Sequence, residues 1–383
     1  MSDCILVGCD LHVKTLVLTW AVDRGPIHHR TLQNDRAGRA GLIAWLRREQ
    51  EACGAKRVLF AYEASGQGFC LYDQLLDAGF ETYVLAPTLI AHSVKAMRTK
   101  TDNRDARALF ELLRAHVLAG NALPAVWVPA VELRDDRDLV RMRVDLPFKH
   151  ATTKNQIQGL LKRRELRRPA ETGSGWTNAF FDWLAGLATG HIPGLGSGGQ
   201  CVLRVLLKEL SDLEAQLAYL DEQIRKLSRE PRYAQQVEAL LTIPGVGLVT
   251  AMTFLVEIGD LTRFSNRRQL ASYLGLVPSS NESGEATDRK GHIHRHGPSR
   301  VRRLLCQASW TLIRSDEQFG RRYDAFVSHS PKRKMVIVVA IMRQLAIIMW
   351  RRALEGGPPA NKPEAPRKKT AGSRKQPPCP AAA

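Results

Sequence analysis

Ile5-Leu6-Val7-Gly8-Cys9-Asp10-Leu11-His12 decides the fold class of the N-terminal half. Six of its first seven residues are small or apolar, so the run reads as a buried strand, and it carries a carboxylate near its end. Residues 15–22, Thr-Leu-Val-Leu-Thr-Trp-Ala-Val, repeat the strand signal, and residues 26–32 give a third. Helical spacing then appears over 36–49, with Leu42, Ile43 and Leu46 on one face. A strand at 57–62, a helix at 69–78 and a strand at 81–85 follow. Pro87 opens a helical approach to Lys100-Thr101-Asp102-Asn103-Arg104-Asp105-Ala106-Arg107-Ala108-Leu109. The alternation is that of an α/β domain.

Four acids stand out against this frame. Asp10 closes the first strand, and Glu63 follows the apolar run at 57–62, just before Ala64-Ser65-Gly66. Packing does not explain a carboxylate at the end of an apolar strand, since a buried acid needs a partner or a metal. Ligands of α/β sheets collect at strand ends. Asp102 and Asp105 are three residues apart and share a helical face. An N-cap with a first-turn acid is the plain structural use of that pair. Together with Asp10 and Glu63 they form an all-oxygen set suited to a hard cation such as Mg²⁺. Two such ions clamp the attacking and leaving oxygens of a phosphoryl transfer.

Asp10, Glu63, Asp102 and Asp105 resemble the DEDD set of a RuvC-like domain of ribonuclease H-like fold. The surrounding Glu63-Ala64-Ser65-Gly66 and Lys100–Ala106 stretches are similar to the DEDD transposases of the IS-one-ten insertion-sequence family, the bridge-RNA-guided recombinases.

The chain has 383 residues, enough for two or three domains, and is 44% hydrophobic and 25% charged. Its net charge of +18 favours nucleic acid as a partner. A membrane is disfavoured, because no apolar run reaches the ~18 residues of a span. The nearest, residues 335–350, is broken by Arg343 and Gln344 and reads as a buried helix. Asp3 and Cys4 lead directly into a strand, so no signal peptide is expected, and the seven cysteines form no Cys-x-x-Cys pair. Free thiols and a cytoplasmic location are expected.

Residues 129–168 read as basic helices in which Pro147 should introduce a kink or division. Arg134, Arg137, Arg141, Arg143, Lys149, Lys154, Lys162, Arg163, Arg164, Arg167 and Arg168 make either a solvated face or a phosphate-tracking surface, and their excess over acids favours the latter. Residues 169–199 are rich in Gly and Ser and read as a loop or small insertion, with Trp176, Phe180, Phe181 and Trp183 used for packing. From Leu203 to Leu227, leucines and Ile224 step by three and four in a heptad seam. Such a seam pairs either with a helix of the same chain or with a second copy; its regularity favours a second copy.

Residues 240–251, Leu-Leu-Thr-Ile-Pro-Gly-Val-Gly-Leu-Val-Thr-Ala, suggest a helix-hairpin-helix. Gly245 and Gly247 permit a tight turn whose amides can face a phosphate. Further on, Pro278-Ser279-Ser280-Asn281-Glu282-Ser283-Gly284 precedes Arg289, Lys290, His292, His294, Arg295 and His296. The residues alone leave Ser279, Ser280 and Ser283 equivalent as turn serines in a cationic loop. The stretch resembles the C-terminal signature of the same family, a Pro, four residues, then Ser-Gly, and on that match Ser283 corresponds to the nucleophile. The three alternating histidines read as a basic, phosphate-facing strand rather than a metal site, since no acid or Cys accompanies them at a familiar spacing. Arg295-His296-Gly297 stands where the family more often has Lys-Arg-Gly.

The resemblance covers about residues 4–355 and implies an organisation. Residues 1–128 would be a RuvC-like catalytic domain, 129–230 basic helices with a coiled-coil linker, and 231–355 a mostly α transposase domain with a helix-hairpin-helix. Residues 356–383 form a basic tail too Pro- and Lys-rich to build a core. It implies a DNA recombinase that uses Mg²⁺ and a serine-phosphate intermediate, a structured bridge RNA as guide, and a dimer or tetramer. Expected nucleic-acid contacts are Arg141, Lys154, Lys162, Arg163, Arg164, Arg167, Gly245, Gly247, Arg289, Lys290 and Arg295. Two rivals share parts of the pattern. A Holliday-junction resolvase-like nuclease explains the acids but not the serine stretch. A non-enzymatic nucleic-acid scaffold explains the cations but leaves four acids that would repel DNA.

Overall fold

A computed structural model of the chain describes residues 3–90, 102–280, 290–294 and 296–356, with only the backbone of Asp102, Ser280 and Lys290. The expectations for Ser283, Arg289, Arg295 and the tail from 357 lie outside the described residues. The chain divides into two compact units, Met1–Pro129 and Ala130–Ala383.

The first unit holds β1 (Cys4–Leu11), β2 (Thr15–Val22), β3 (His28–Gln33), α1 (Arg36–Cys53), β4 (Arg57–Glu63), α2 (Cys70–Asp77), β5 (Glu81–Leu85) and α3 (Asp102–Ala119). The five strands form one sheet in the order β3-β2-β1-β4-β5. β1, β2 and β3 pair antiparallel, whereas β1 runs parallel to β4 and β4 to β5. Side chains alternate across the pleat. Val7 and Cys9 of β1 and Phe60 and Tyr62 of β4 pack on one face with Leu42, Trp45 and Leu46 of α1. Leu6, Leu59 and Ala61 pack on the other with Leu109, Phe110 and Leu113 of α3.

Gly8 sets how closely α3 approaches. A Cβ there would lie 2.3 Å from the Phe110 amide nitrogen and 2.5 Å from the Ala106 carbonyl oxygen. Only glycine lets the helix backbone lie directly on β1.

The second unit is mostly helical: α4 (Val131–Arg163), α5 (Asn178–Thr189), α6 (Ser197–Leu227), α7 (Ala234–Leu241), α8 (Leu248–Ile258), α9 (Arg267–Tyr273), α10 (Ser299–Ser315), α11 (Glu317–His329) and α12 (Lys334–Glu355). A short antiparallel pair, β6 (Pro278–Ser280) and β7 (Lys290–Ile293), lies between α9 and α10. α8 is almost wholly buried and centres the larger core, which takes in Leu305 of α10 and Val338, Ile341 and Leu345 of α12. No helix of the described residues is long and apolar enough to cross a membrane.

Three expectations change here. Pro147 does not divide the basic segment, for α4 runs unbroken through it. A helical proline loosens the carbonyls of the preceding turn, and Arg303 Nη2 donates to one of them, that of Val144, at 2.7 Å. The expected loop at 169–199 contains α5, capped by the Thr177 hydroxyl, which accepts from the Phe180 amide. Its Phe180 is buried, with Trp176, Phe181 and Trp183 packed around the same cluster, so the aromatics do serve packing. Lastly, α6 lies along α4 and α5 of its own chain. Leu203, Leu210, Leu213, Ile224 and Leu227 are buried there, which gives most of the heptad seam a partner within the chain.

Candidate active site

β1 and β4 bring the two strand-end acids together. Cys9 is the parallel register partner of Tyr62, so Asp10 and Glu63 are the next residues at the ends of neighbouring strands. Neighbouring strands lie about 4.8 Å apart, and the pleat aims both acids at the face covered by α3. Asp105, half-buried, directly precedes Ala106, whose carbonyl rests on Gly8. Gly8 and Asp10 are two residues apart on this face, about 6.6 Å along the strand. Asp102 begins α3 one turn before Asp105. The sheet thus sets Asp10 and Glu63 at the ends of neighbouring strands on the face that α3 covers, and Asp105 lies on α3 one residue before its contact with Gly8. Among the described residues no three acidic, histidine or cysteine side chains converge closely enough to hold a metal ion. The oxygen-only donor set fits a hard cation, and Asp102 would complete it.

Burial keeps the neighbouring groups neutral. Cys9 and Tyr62, each directly before an acid, face the opposite core, where burial pushes both well above their usual range. The Asp10 side chain is 15% exposed, and its Oδ2 lies 3.1 Å from His12 Nε2. Sequence reasoning misses His12, although two residues past a strand-end acid is a position from which an imidazole can reach it.

A polar lattice fixes the two loops that leave these strands. Asn34 Nδ2 donates to the His12 carbonyl at 2.5 Å and to Gln67 Oε1 at 2.9 Å. Gln67 Nε2 donates to the Leu11 carbonyl at 3.2 Å, and Arg39 Nε donates to Asn34 Oδ1 at 2.7 Å. The loop after Asp10 is thereby tied to the loop after Glu63. No periodicity marks Asn34 or Gln67, so pattern reading had no signal for them.

In the second unit the expected nucleic-acid residues separate into two groups. Arg141 is turned inward: its Nε and Nη2 each donate at 2.7 Å to the carboxylate of Glu257, which is buried on α8. Arg137 donates to the carbonyls of Val256 and Glu257, and Arg143 pairs with Asp221 at 2.7 Å. Arg168 stacks on Phe180 and donates to the Thr172 carbonyl. These arginines hold the helices together. Lys162, Arg163, Arg164 and Arg167 remain exposed where α4 ends, and Lys162 and Arg167 line a cavity of ≈ 660 Å³. Lys154 stands over the Trp176 ring at 4.9 Å.

The two glycines also part. Gly245 has φ +83°, and a Cβ on it would lie 2.6 Å from the Ala308 carbonyl oxygen, so packing against α10 requires it. Gly247 caps the start of α8 and opens onto a cavity of ≈ 300 Å³ that Arg225 also lines. Of the candidate serines, Ser279 is occupied: its hydroxyl lies over Gly291 and donates to the His292 carbonyl at 3.1 Å, joining β6 to β7.

Two family models match the chain in separate stretches. A DEDD transposase model of the IS110 type covers residues 7–164, and one described as the transposase IS116/IS110/IS902 family covers 237–324. The chain is 32% identical to a Sinorhizobium fredii relative, named for transposase y4qE, over 82% of this chain and 80% of that protein.

The chain belongs to the IS110 family of DEDD transposases.

Other relatives agree. A Pseudomonas aeruginosa protein named as a family 20 transposase is 27% identical over 76% of this chain and 82% of its own length. The pilin gene-inverting protein of Moraxella bovis is 33% identical over 35% of this chain and 42% of its own length. The first IS110-type match, from residue 7, takes in the β1–α3 frame except the start of β1, with all four acids. The second takes in α8, α9 and the β6–β7 pair. This IS110-family enzyme is therefore a transposase whose acids and serine stretch come from different units of the chain.

Proposed function

We propose that this transposase cuts and rejoins DNA through a phosphoserine intermediate, with the Met1–Pro129 unit as a ribonuclease H-like, RuvC-like metal domain. One observation carries the reading: Asp10 and Glu63 end neighbouring parallel strands in register, on the face against which Gly8 seats the acid-bearing helix α3. The strand order β3-β2-β1-β4-β5, with its three antiparallel strands followed by two parallel ones, supports the fold assignment. Asp10, Glu63, Asp102 and Asp105 would hold divalent cations, for which Mg²⁺ is the physiological match to an all-carboxylate set. Bound there, the metal would stabilise charge on the scissile phosphate.

The residues of the chain divide the remaining work. Ser283 Oγ gives up its proton and bonds to phosphorus; the bond from phosphorus to the leaving strand oxygen breaks, and that oxygen takes a proton. The phosphoserine ester conserves the phosphodiester energy, so a hydroxyl from another strand can reverse the step without ATP. Ser279 is spent on the β6–β7 pair, which favours a serine beyond it in the same stretch. His12 orients Asp10, and the Asn34–Gln67 lattice holds both strand ends in place.

Lys154, Lys162, Arg163, Arg164 and Arg167 form the backbone-tracking surface, with the start of α8 at Gly247 as a second phosphate contact in a helix-hairpin-helix. A structured bridge RNA would supply sequence choice by base pairing. A second copy would meet α6 where Val202, Val205 and Tyr219 are exposed and where Leu217 and Leu220 of the seam are only half-buried.

Metal-binding calorimetry on single variants tests the division of labour. Asp10→Asn, Glu63→Gln and Asp105→Asn should each weaken Mn²⁺ or Mg²⁺ binding at least tenfold and stop strand cleavage. Ser283→Ala should bind metal as the parent does. Unchanged metal affinity in all three acid variants would remove the metal site from this edge of the sheet.

A further inference from the structure

α9 and α12 bound a cavity of ≈ 490 Å³ into which Arg267, Arg268, Arg343 and Arg351 open. None of these arginines has an ion pair among the described residues. Arg267, Arg268 and Arg351 are exposed, while Arg343 is half-buried within the apolar middle of α12, beside the buried Met342 and Leu345. In sequence, Arg343 and Gln344 only interrupt an apolar run; in the fold they form the wall of a groove.

We propose that this groove binds the phosphodiester backbone of DNA. The proposal rests on the reading that the transposase acts on DNA. Four guanidiniums around one cavity repel one another, and partly desolvating Arg343 without a counter-ion is unfavourable. A phosphate arriving from outside relieves both. The guanidinium fork matches phosphate oxygens in bidentate fashion, which a solvated face would not need. On α12, Arg343 and Arg351 are eight residues apart, about 12 Å along the helix. That length spans more than one phosphate of a strand, so the groove is suited to a polymer rather than a single anion. Ile347 and Ile348 floor it between the arginines, an apolar surface for sugar carbons. Gln344 is held by Arg322, whose Nη1 donates to its Oε1 at 2.5 Å, which adds a fifth cation beside the groove.

The test is DNA-duplex binding by the full chain, followed by anisotropy across a salt series. Arg343→Gln with Arg351→Gln should make the log–log salt slope shallower by about 2, at ~0.9 for each phosphate no longer neutralised. Arg343→Lys with Arg351→Lys keeps the charge and should keep the slope while weakening affinity. Arg47→Gln with Arg48→Gln removes the same charge from the exposed face of α1 and should leave the slope nearly unchanged. Matching thermal melts confirm that each variant is folded. Equal slopes for the groove and α1 variants overturn the proposal. So do groove variants that keep DNA binding intact while their affinity for an RNA hairpin falls. A parent that binds no duplex at any salt would instead overturn the DNA reading beneath it.

Discussion

Arg141 and Glu257 show how a residue's neighbours decide what its charge is for. Glu257 sits on the most buried helix of the second unit, with 5% of its side chain exposed, and the Arg141 fork closes on both its oxygens. The hydrogen bond to Glu257 holds the guanidinium above its usual range. Arg141→Ala would leave a buried carboxylate without that fork, a loss of about 3 kcal/mol. Thermal melting should show a clear fall in Tm, while the salt dependence of DNA binding should hardly move. The opposite pair of results would make Arg141 a phosphate contact. The sequence signal for this pairing was Glu257 itself, the one acid inside an apolar helix. A count of arginines cannot tell which of them meets it. Gly8 was opaque for a similar reason: what it makes room for is the backbone at Ala106 and Phe110, about a hundred residues later. Asp10 and Glu63 were legible because a carboxylate ending an apolar strand is conspicuous in one dimension.

Among elements, α4 is held to α10 by a local charge cluster. Asp145 accepts from Arg300 Nε at 2.9 Å and lies 3.4 Å from Arg303 Nη2, which also serves the Val144 carbonyl before Pro147. The Arg300 hydrogen bond holds the Asp145 carboxyl below its usual range. A carboxyl lowered on folding stabilises the fold above its unfolded pKa of ~3.9, and that contribution is lost as pH falls through the lower folded value. Asp145→Asn should therefore lower Tm at neutral pH, and the gap between variant and parent should close on acidification below about pH 4. A gap that stays constant with pH would assign the effect to packing. The helix propensity of the basic segment and the seam on α6 were both legible from spacing. What spacing could not supply was the seam's partner, because a heptad reads the same whether α4 of the same chain or another copy fills it. The helix α5 was hidden by the Gly and Ser residues around it, although Thr177 already provided its cap.

At the scale of the molecule, the acids and the candidate serine come from two compact units, and one family match covers most of the first unit and α4 of the second while the other lies wholly in the second. A chain with a net charge of +18 that ends two neighbouring strands in carboxylates, Asp10 and Glu63, combines general attraction for nucleic acid with one place where phosphate would be repelled unless a cation sits between. The division into an acid-bearing unit and a serine-bearing unit is the central claim, and its chemical signature is a protein–DNA bond that survives denaturation. The most direct measurement is therefore adduct formation on a labelled DNA target, with Mg²⁺ and whatever RNA copurifies with the protein, resolved after denaturation. The parent should yield a covalent adduct, Asp105→Asn none, and Ser283→Ala none while still binding metal and DNA. Nicked DNA without adduct at any time point, in the parent and in Ser283→Ala alike, would contradict the account and leave a metal-and-water nuclease.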